Sequence, residues 1–191
     1  MTAPAPLDPA APEPDDKDWT WTLQRPCPEC GFDAATIEPV AIPALVRDAA
    51  SRWPDVLARP DATTRPTPTR WSPLEYACHV RDVHRLFQQR LELMLEASAG
   101  DTPTFANWDQ DATALAERYW EQDPSVVATE VTESGESLAD AYTRVGDGWA
   151  NGEAGDWART GVRSNGSTFT VESLGRYLLH DLFHHVWDVR G

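Results

Sequence analysis

The sequence predicts an all-α protein built as one helical bundle, and three observations carry that expectation. Apolar residues recur at the three-and-four spacing of an amphipathic helix in several long segments. Three of those segments open with explicit helix-start signals. No long alternation of apolar and polar residues, the mark of a half-buried strand, interrupts them. A chain of 191 residues, 41% hydrophobic and 25% charged, suits a single globular domain.

Residues 1–18 are rich in Pro, Ala and Asp and carry no hydrophobic period, so a disordered acidic tail is expected there. Residues 19–35 form a short arm containing Cys27-Pro-Glu-Cys30, and the bundle occupies 36–191. From Ile37 to Leu57, Val40, Ala44, Leu45, Ala49, Trp53 and Leu57 fall near helical spacing. Pro43 fits the first turn, where its missing N–H costs little, and Pro54 can end the helix early.

The second helix is the best marked. Ser72 caps it, Pro73 takes the first helical position, and Glu75 stands three residues after the cap as a capping-box partner. It should run from Pro73 to about Glu96, with Tyr76, Val83, Leu86, Phe87, Leu91, Met94 and Leu95 as a broad core stripe. A short helix is expected over Asp111–Glu121. Asp123-Pro124 then starts another, reaching about Val145, with Leu138, Ala141, Tyr142 and Val145 buried. Gly146–Gly166 is broken by glycines and reads as a loop folding over something. Thr170 caps a last helix, Val171 to about Val189, apolar almost all round and therefore central.

The bulk charge narrows the partners. A formal net charge of −15 repels a phosphate backbone, and no Lys/Arg run offers a local exception, so nucleic acid is not an expected partner. No stretch reaches the roughly 18 apolar residues of a membrane helix, and the amino-terminal segment lacks signal-peptide features. A cytoplasmic protein with a small-molecule substrate, monomeric or a homodimer, is the expectation. Lys17 is the only lysine among the basic residues, which points to a GC-rich genome. Three cysteines, Cys27, Cys30 and Cys78, are too few for a disulfide scaffold and are read as thiols.

The chemistry concentrates in histidine. His180 and His184 are four apart on the last helix, about 400° of rotation, so both rings lie on one face one turn apart. Their Cβ atoms stand about 5–6 Å apart, near enough for two imidazoles to share one ion. His79 lies early in the second helix on the inward stripe. In an antiparallel bundle the start of one helix meets the end of its neighbour, so His79 can join the pair. Three nitrogens leave coordination positions open, as a catalytic site requires. The bland alternative is a set of buried core histidines. His185 points about 100° away from His184 and competes with it as a ligand, while His84 reads as solvated. Glu75, Asp82 and Asp188, at i−4 and i+3 from His79 and i+4 from His184, are candidate outer carboxylates that would orient an imidazole.

The segments WSPLEYACHVRDV and LLHDLFHHVWDV resemble the two halves of the DinB/YfiT-like superfamily signature, over about Thr36 to Arg190. The resemblance implies a four-helix bundle and a three-histidine metal site carried by His79, His180 and His184. It also implies a metal-dependent hydrolase or thiol transferase, akin to the metal-binding domain of mycothiol-dependent maleylpyruvate isomerase. The CPEC arm departs from the family core. It resembles half of a zinc ribbon whose other half is missing, with Cys78 as a third ligand only if the arm folds back.

The expected function is therefore a divalent-metal enzyme, with zinc or nickel as the metal and a low-molecular-weight thiol such as mycothiol as a possible second cofactor. Affinity order alone does not choose among nickel, zinc and copper. Two other readings stand beside it: a non-catalytic metal-binding or stress-associated bundle, and a zinc-dependent interaction module built on Cys27 and Cys30.

Overall fold

The computed structural model describes residues 18–98, 100–147 and 156–191. The expected tail over 1–18 lies outside these but for its last residue, as does the middle of the expected loop. Four long helices form the bundle: α1 (Ile42–Ser51, continued after a break by α2, Trp53–Leu57), α3 (Pro73–Glu96), α5 (Pro124–Asp147) and α6 (Val171–Asp188). A short helix, α4 (Gln110–Ala116), lies in the connection between α3 and α5. Helix α5 packs on both α3 and α1, and α6 closes the bundle against the same two.

The helix starts follow the capping chemistry. Ser72 Oγ accepts from the Glu75 amide while Glu75 Oε2 accepts from the Ser72 amide at 2.9 Å, so two N–H groups of the first turn are satisfied reciprocally. Asp123 Oδ1 accepts from the Ser125 amide at the start of α5. Thr170 and Ser173 make the same reciprocal pair for α6. The core is continuous, with Trp53, Leu74, Leu91, Leu138, Tyr142, Leu178 and Leu182 fully buried.

Three expectations need correction. The segment 37–57 is not one helix: a 3-10 turn over Pro39–Ala41 leads into α1, and the chain breaks at Arg52 ahead of Pro54. Its buried face is Ile42, Val46, Ala49 and Ala50, whereas Val40 is 77% exposed, because the turn shifts the register by part of a rotation. The expected helix over Asp111–Glu121 stops at Ala116, since Arg118 adopts a left-handed conformation and a 3-10 turn follows. Finally, a small sheet exists: β1 (Thr104–Phe105) runs parallel to β2 (Thr160–Arg163), which pairs antiparallel with β3 (Thr168–Thr170). Part of the expected Gly146–Gly166 loop is thus a strand, turned by Gly166 at φ 94°. The β3 strand feeds straight into the Thr170 cap, so the hairpin sets where α6 begins.

Candidate metal centre

Helix α3 carries His79 and helix α6 carries Asp181 and His185, four apart and therefore on one face. His79 Nε2 lies 3.6 Å from Asp181 Oδ1, and His185 Nε2 lies 3.8 Å from the same oxygen. One ligand atom from each of the three lies within 4.8 Å of the others. Both ring nitrogens of His79 and the Oδ1 of Asp181 are buried without a hydrogen-bond partner. Buried polar atoms are nearly always satisfied, so an orphaned His79 Nε2 facing an orphaned Asp181 Oδ1 fits an absent cation between them.

The surroundings prepare these groups to bind one. Burial pushes the His79 imidazole below its ordinary value, which keeps it neutral. Burial would raise the Asp181 carboxyl, but the His185 and His79 rings beside it hold it well below the usual carboxylate range. Two imidazoles and one carboxylate are a fitting set for a divalent transition ion. His79 is held between aromatic rings: Trp108 stacks on it at 5.3 Å and 14°, and Trp71 lies 5.4 Å away. His185 Nδ1 is 3.0 Å from Asp188 Oδ2, which directs its Nε2 toward Asp181.

The three expected metal ligands are divided between two groups. His180 and His184 do not meet His79. They face the amino-terminal arm, whose Cys27 and Cys30 complete a cluster with all four ligand atoms within 4.8 Å of one another. The sequence pattern Asp181-x3-His185 was available as a signal, but a helix apolar all round does not disclose which of two faces, 100° apart, meets α3.

The expected outer carboxylates also part ways. Asp188 touches His185 as described. Glu75 is committed to the α3 cap and to a forked ion pair with Arg65. Asp82 turns away from His79 to bind Arg81 and the Tyr119 hydroxyl. His84, expected in solvent, is fully buried, with Nδ1 3.1 Å from Ser134 Oγ on α5. Cys78 is buried in the core next to Tyr119 and Gln122, far in the fold from the arm's thiols.

A cavity of about 750 Å³ opens onto the His79–Asp181–His185 cluster. Val83 and Phe87 supply apolar wall, and Trp108 stands at its side. Arg90 and Arg163 also line it, 6% and 9% exposed, and neither faces a carboxylate at ion-pair distance among the described residues. Arg90 Nη2 donates to the Ala106 carbonyl, and its guanidinium lies 4.9 Å from the Phe105 ring. Arg163 Nε donates to Asn165 Oδ1. Burial pulls Arg90 down to about 10, helped by the Arg163 charge, so Arg90 remains cationic at neutral pH.

The model of the DinB superfamily matches residues 44–189, most of the chain and both halves of this site. The chain belongs to the DinB superfamily. Its fold is also that of a solved structure, YfiT from Bacillus subtilis, with a TM-score of 0.57 and 19% sequence identity, over 79% of this chain and 81% of that one. That protein is described as "a probable metal-dependent hydrolase with an unusual four-helix bundle topology". None of the curated proteins matches the chain. The matched span of the DinB superfamily begins at residue 44, so the arm with Cys27 and Cys30 lies ahead of it.

Proposed function

We propose that this member of the DinB superfamily is a divalent-metal-dependent enzyme, a hydrolase or a thiol-dependent transferase, acting on a small molecule with an anionic group. The metal set in this reading is His79, Asp181 and His185, in place of His79 with His180 and His184. One observation carries it: the orphaned Nε2 of His79 and the orphaned Oδ1 of Asp181 lie with a ring nitrogen of His185 within 4.8 Å of one another, at the wall of a cavity.

A divalent ion there supplies Lewis acidity, polarising an electrophile and acidifying the water or thiol that attacks it. The chain's own residues do the rest. Asp188 accepts from His185 Nδ1–H, which fixes the tautomer that leaves Nε2 as an acceptor. Trp71 and Trp108 restrict the His79 ring, so its nitrogen needs little reorganisation to serve as a ligand. Arg90 and Arg163 hold two positive charges in the cavity, suited to a carboxylate or phosphate on the substrate. Val83 and Phe87 keep part of the wall apolar, which limits water around the reacting group. Three protein ligands leave positions for substrate, the arrangement of catalytic rather than structural sites. Zinc or nickel suits the donor set, and a thiol such as mycothiol is the second cofactor if transfer is the reaction.

The test is elemental analysis of untagged protein, wild type beside His79→Ala and Asp181→Asn, followed by a turnover screen with anionic esters and amides, with and without low-molecular-weight thiols. Each variant should lose one metal ion per chain together with turnover. Unchanged metal content in both variants would end this assignment.

A further inference from the structure

The span matched by the DinB superfamily leaves out the arm ahead of α1. The arm ahead of α1 begins with a 3-10 turn, Trp19–Leu23, packs against α6, and then makes a tight knuckle at Cys27–Phe32. In that knuckle the Cys27 amide donates to the Phe32 carbonyl at 2.8 Å, and the Gly31 amide to the Cys27 carbonyl at 3.0 Å. Gly31 takes φ 75°, a conformation that favours glycine. The turn brings the Cys27 and Cys30 side chains together and presents them to His180 and His184.

We propose that Cys27, Cys30, His180 and His184 form a second, closed metal site of the zinc type, which staples the arm to α6. Four ligands of two soft and two borderline donors are the composition of a structural zinc site. In a tetrahedron with Zn–S of about 2.3 Å and Zn–N of about 2.0–2.1 Å, neighbouring donors stand roughly 3.3–3.8 Å apart. Cys27 Sγ is 3.7 Å from His184 Nδ1, and the whole set falls within 4.8 Å. His180 Nε2 is buried with no hydrogen-bond partner, a second sign that something is to be bound there. With Nδ1 of His184 turned to the thiols, its Nε2 faces Glu29 at 3.6 Å and Asp188 at 4.0 Å, the carboxylates expected behind a ligating imidazole. Trp19 packs 5.5 Å from His180 and 5.3 Å from His184, and Phe32 5.9 Å from His180, which closes the site on its outer side.

The consequence is geometric. Residues 180–185 of α6 then carry ligands to two ions, 180 and 184 toward the arm's thiols and 181 and 185 toward His79, with both groups bordering the same cavity. Fixing the outer pair sets the rotation of the helix and so aims the inner pair. This explains why a chain with a complete bundle carries an arm outside it.

The experiment uses full-length untagged protein. Wild type should hold two ions per chain, and Cys27→Ser with Cys30→Ser should hold one, whereas His79→Ala should retain the ion bound by sulfur. Cobalt(II) reconstitution of the His79→Ala variant should give a thiolate-to-cobalt charge-transfer band, absent after the cysteine changes. Because Cys27 is buried and its replacement can fail to fold, wild type is also titrated with an organomercurial, which should release one zinc as two thiols react. A single ion whose coordination shell lacks sulfur overturns the proposal, as does a Cys27–Cys30 disulfide in protein purified anaerobically. Loss of the cavity ion with the sulfur site intact would sink only the functional reading above.

Discussion

Asp188→Asn is the sharpest test of how the cavity site is tuned. The carboxylate lies 3.0 Å from His185 Nδ1, and its side chain is 13% exposed. Its other contacts are the 4.0 Å approach to His184 and an ion pair at 3.1 Å with a half-exposed Arg70. An amide keeps the shape and can still accept from Nδ1–H, but the charge that raises the basicity of Nε2 is gone. Loss of an outer partner of this kind typically weakens metal affinity about 10–100-fold, or about 1.4–2.7 kcal/mol. The Arg70 pair contributes at most about 1 kcal/mol to folding, since one partner is well solvated. Competition with a graded series of chelators, run in the Cys27→Ser, Cys30→Ser background so that only the cavity ion is read, measures the affinity, and thermal unfolding of the metal-free protein measures the fold. The expected pattern is weaker metal binding with a nearly unchanged metal-free melting temperature. Affinity within threefold of wild type, or a melting loss as large without metal as with it, would refute the claim that Asp188 acts through His185.

Further outcomes follow from single residues. Arg90→Met should raise KM for anionic substrates by roughly tenfold or more while leaving neutral analogues little affected, read by steady-state kinetics. Gly135→Ala should destabilise by about 1–3 kcal/mol despite alanine's helix preference, because its Cβ would lie 2.6 Å from Ala50 Cβ and 3.1 Å from the His84 ring. The companion change Ala50→Gly should restore most of the loss in denaturant melts. Burial holds His84 near a pKa of about 4 against 6.5 unfolded, so its contribution is intact above about pH 6.5 and is lost as pH falls toward 4. That amounts to about 2 kcal/mol by pH 5, and His84→Gln should flatten this part of the stability–pH curve.

Where local chemistry dictated local structure, the sequence was readable. Helix α3 begins and ends where its cap, first-turn proline and apolar stripe place it, and α5 and α6 start at their caps for the same reason. The strands were not readable: two to four residues leave no alternation to detect, and they exist because β1, β2 and β3 pair across distant parts of the chain. The start of the segment 37–57 was misjudged because a 3-10 turn advances about 120° per residue rather than 100°: Val40 is exposed, whereas Ala49, Trp53 and Leu57 are buried as expected. His84 was misplaced for a different reason. It falls between Arg81 and Gln88, which read as a polar face, but Arg81 is itself buried and α5 approaches so closely at Gly135 that the ring is covered.

The site shows the same boundary between local and long-range information. That imidazoles on α3 and α6 would converge was legible, because helix spacing fixes which side chains share a face. Which face of α6 meets α3 was not, because LLHDLFHHVWDV offers two i,i+4 pairs of ligating residues, His180/His184 and Asp181/His185, with apolar residues on both sides. Counting donors supports the proposed division. Cys27 and Cys30 supply half of a four-ligand set, and a pair of histidines four apart supplies the other half. Assigning His180 and His184 to the arm leaves Asp181 and His185 for His79, and gives every metal-ligating side chain on that turn of α6 a partner. In the two proposed sites the doubled motif is no redundancy: one pair would serve the arm or the cavity, and two, offset by a single residue, would serve both without a change of register.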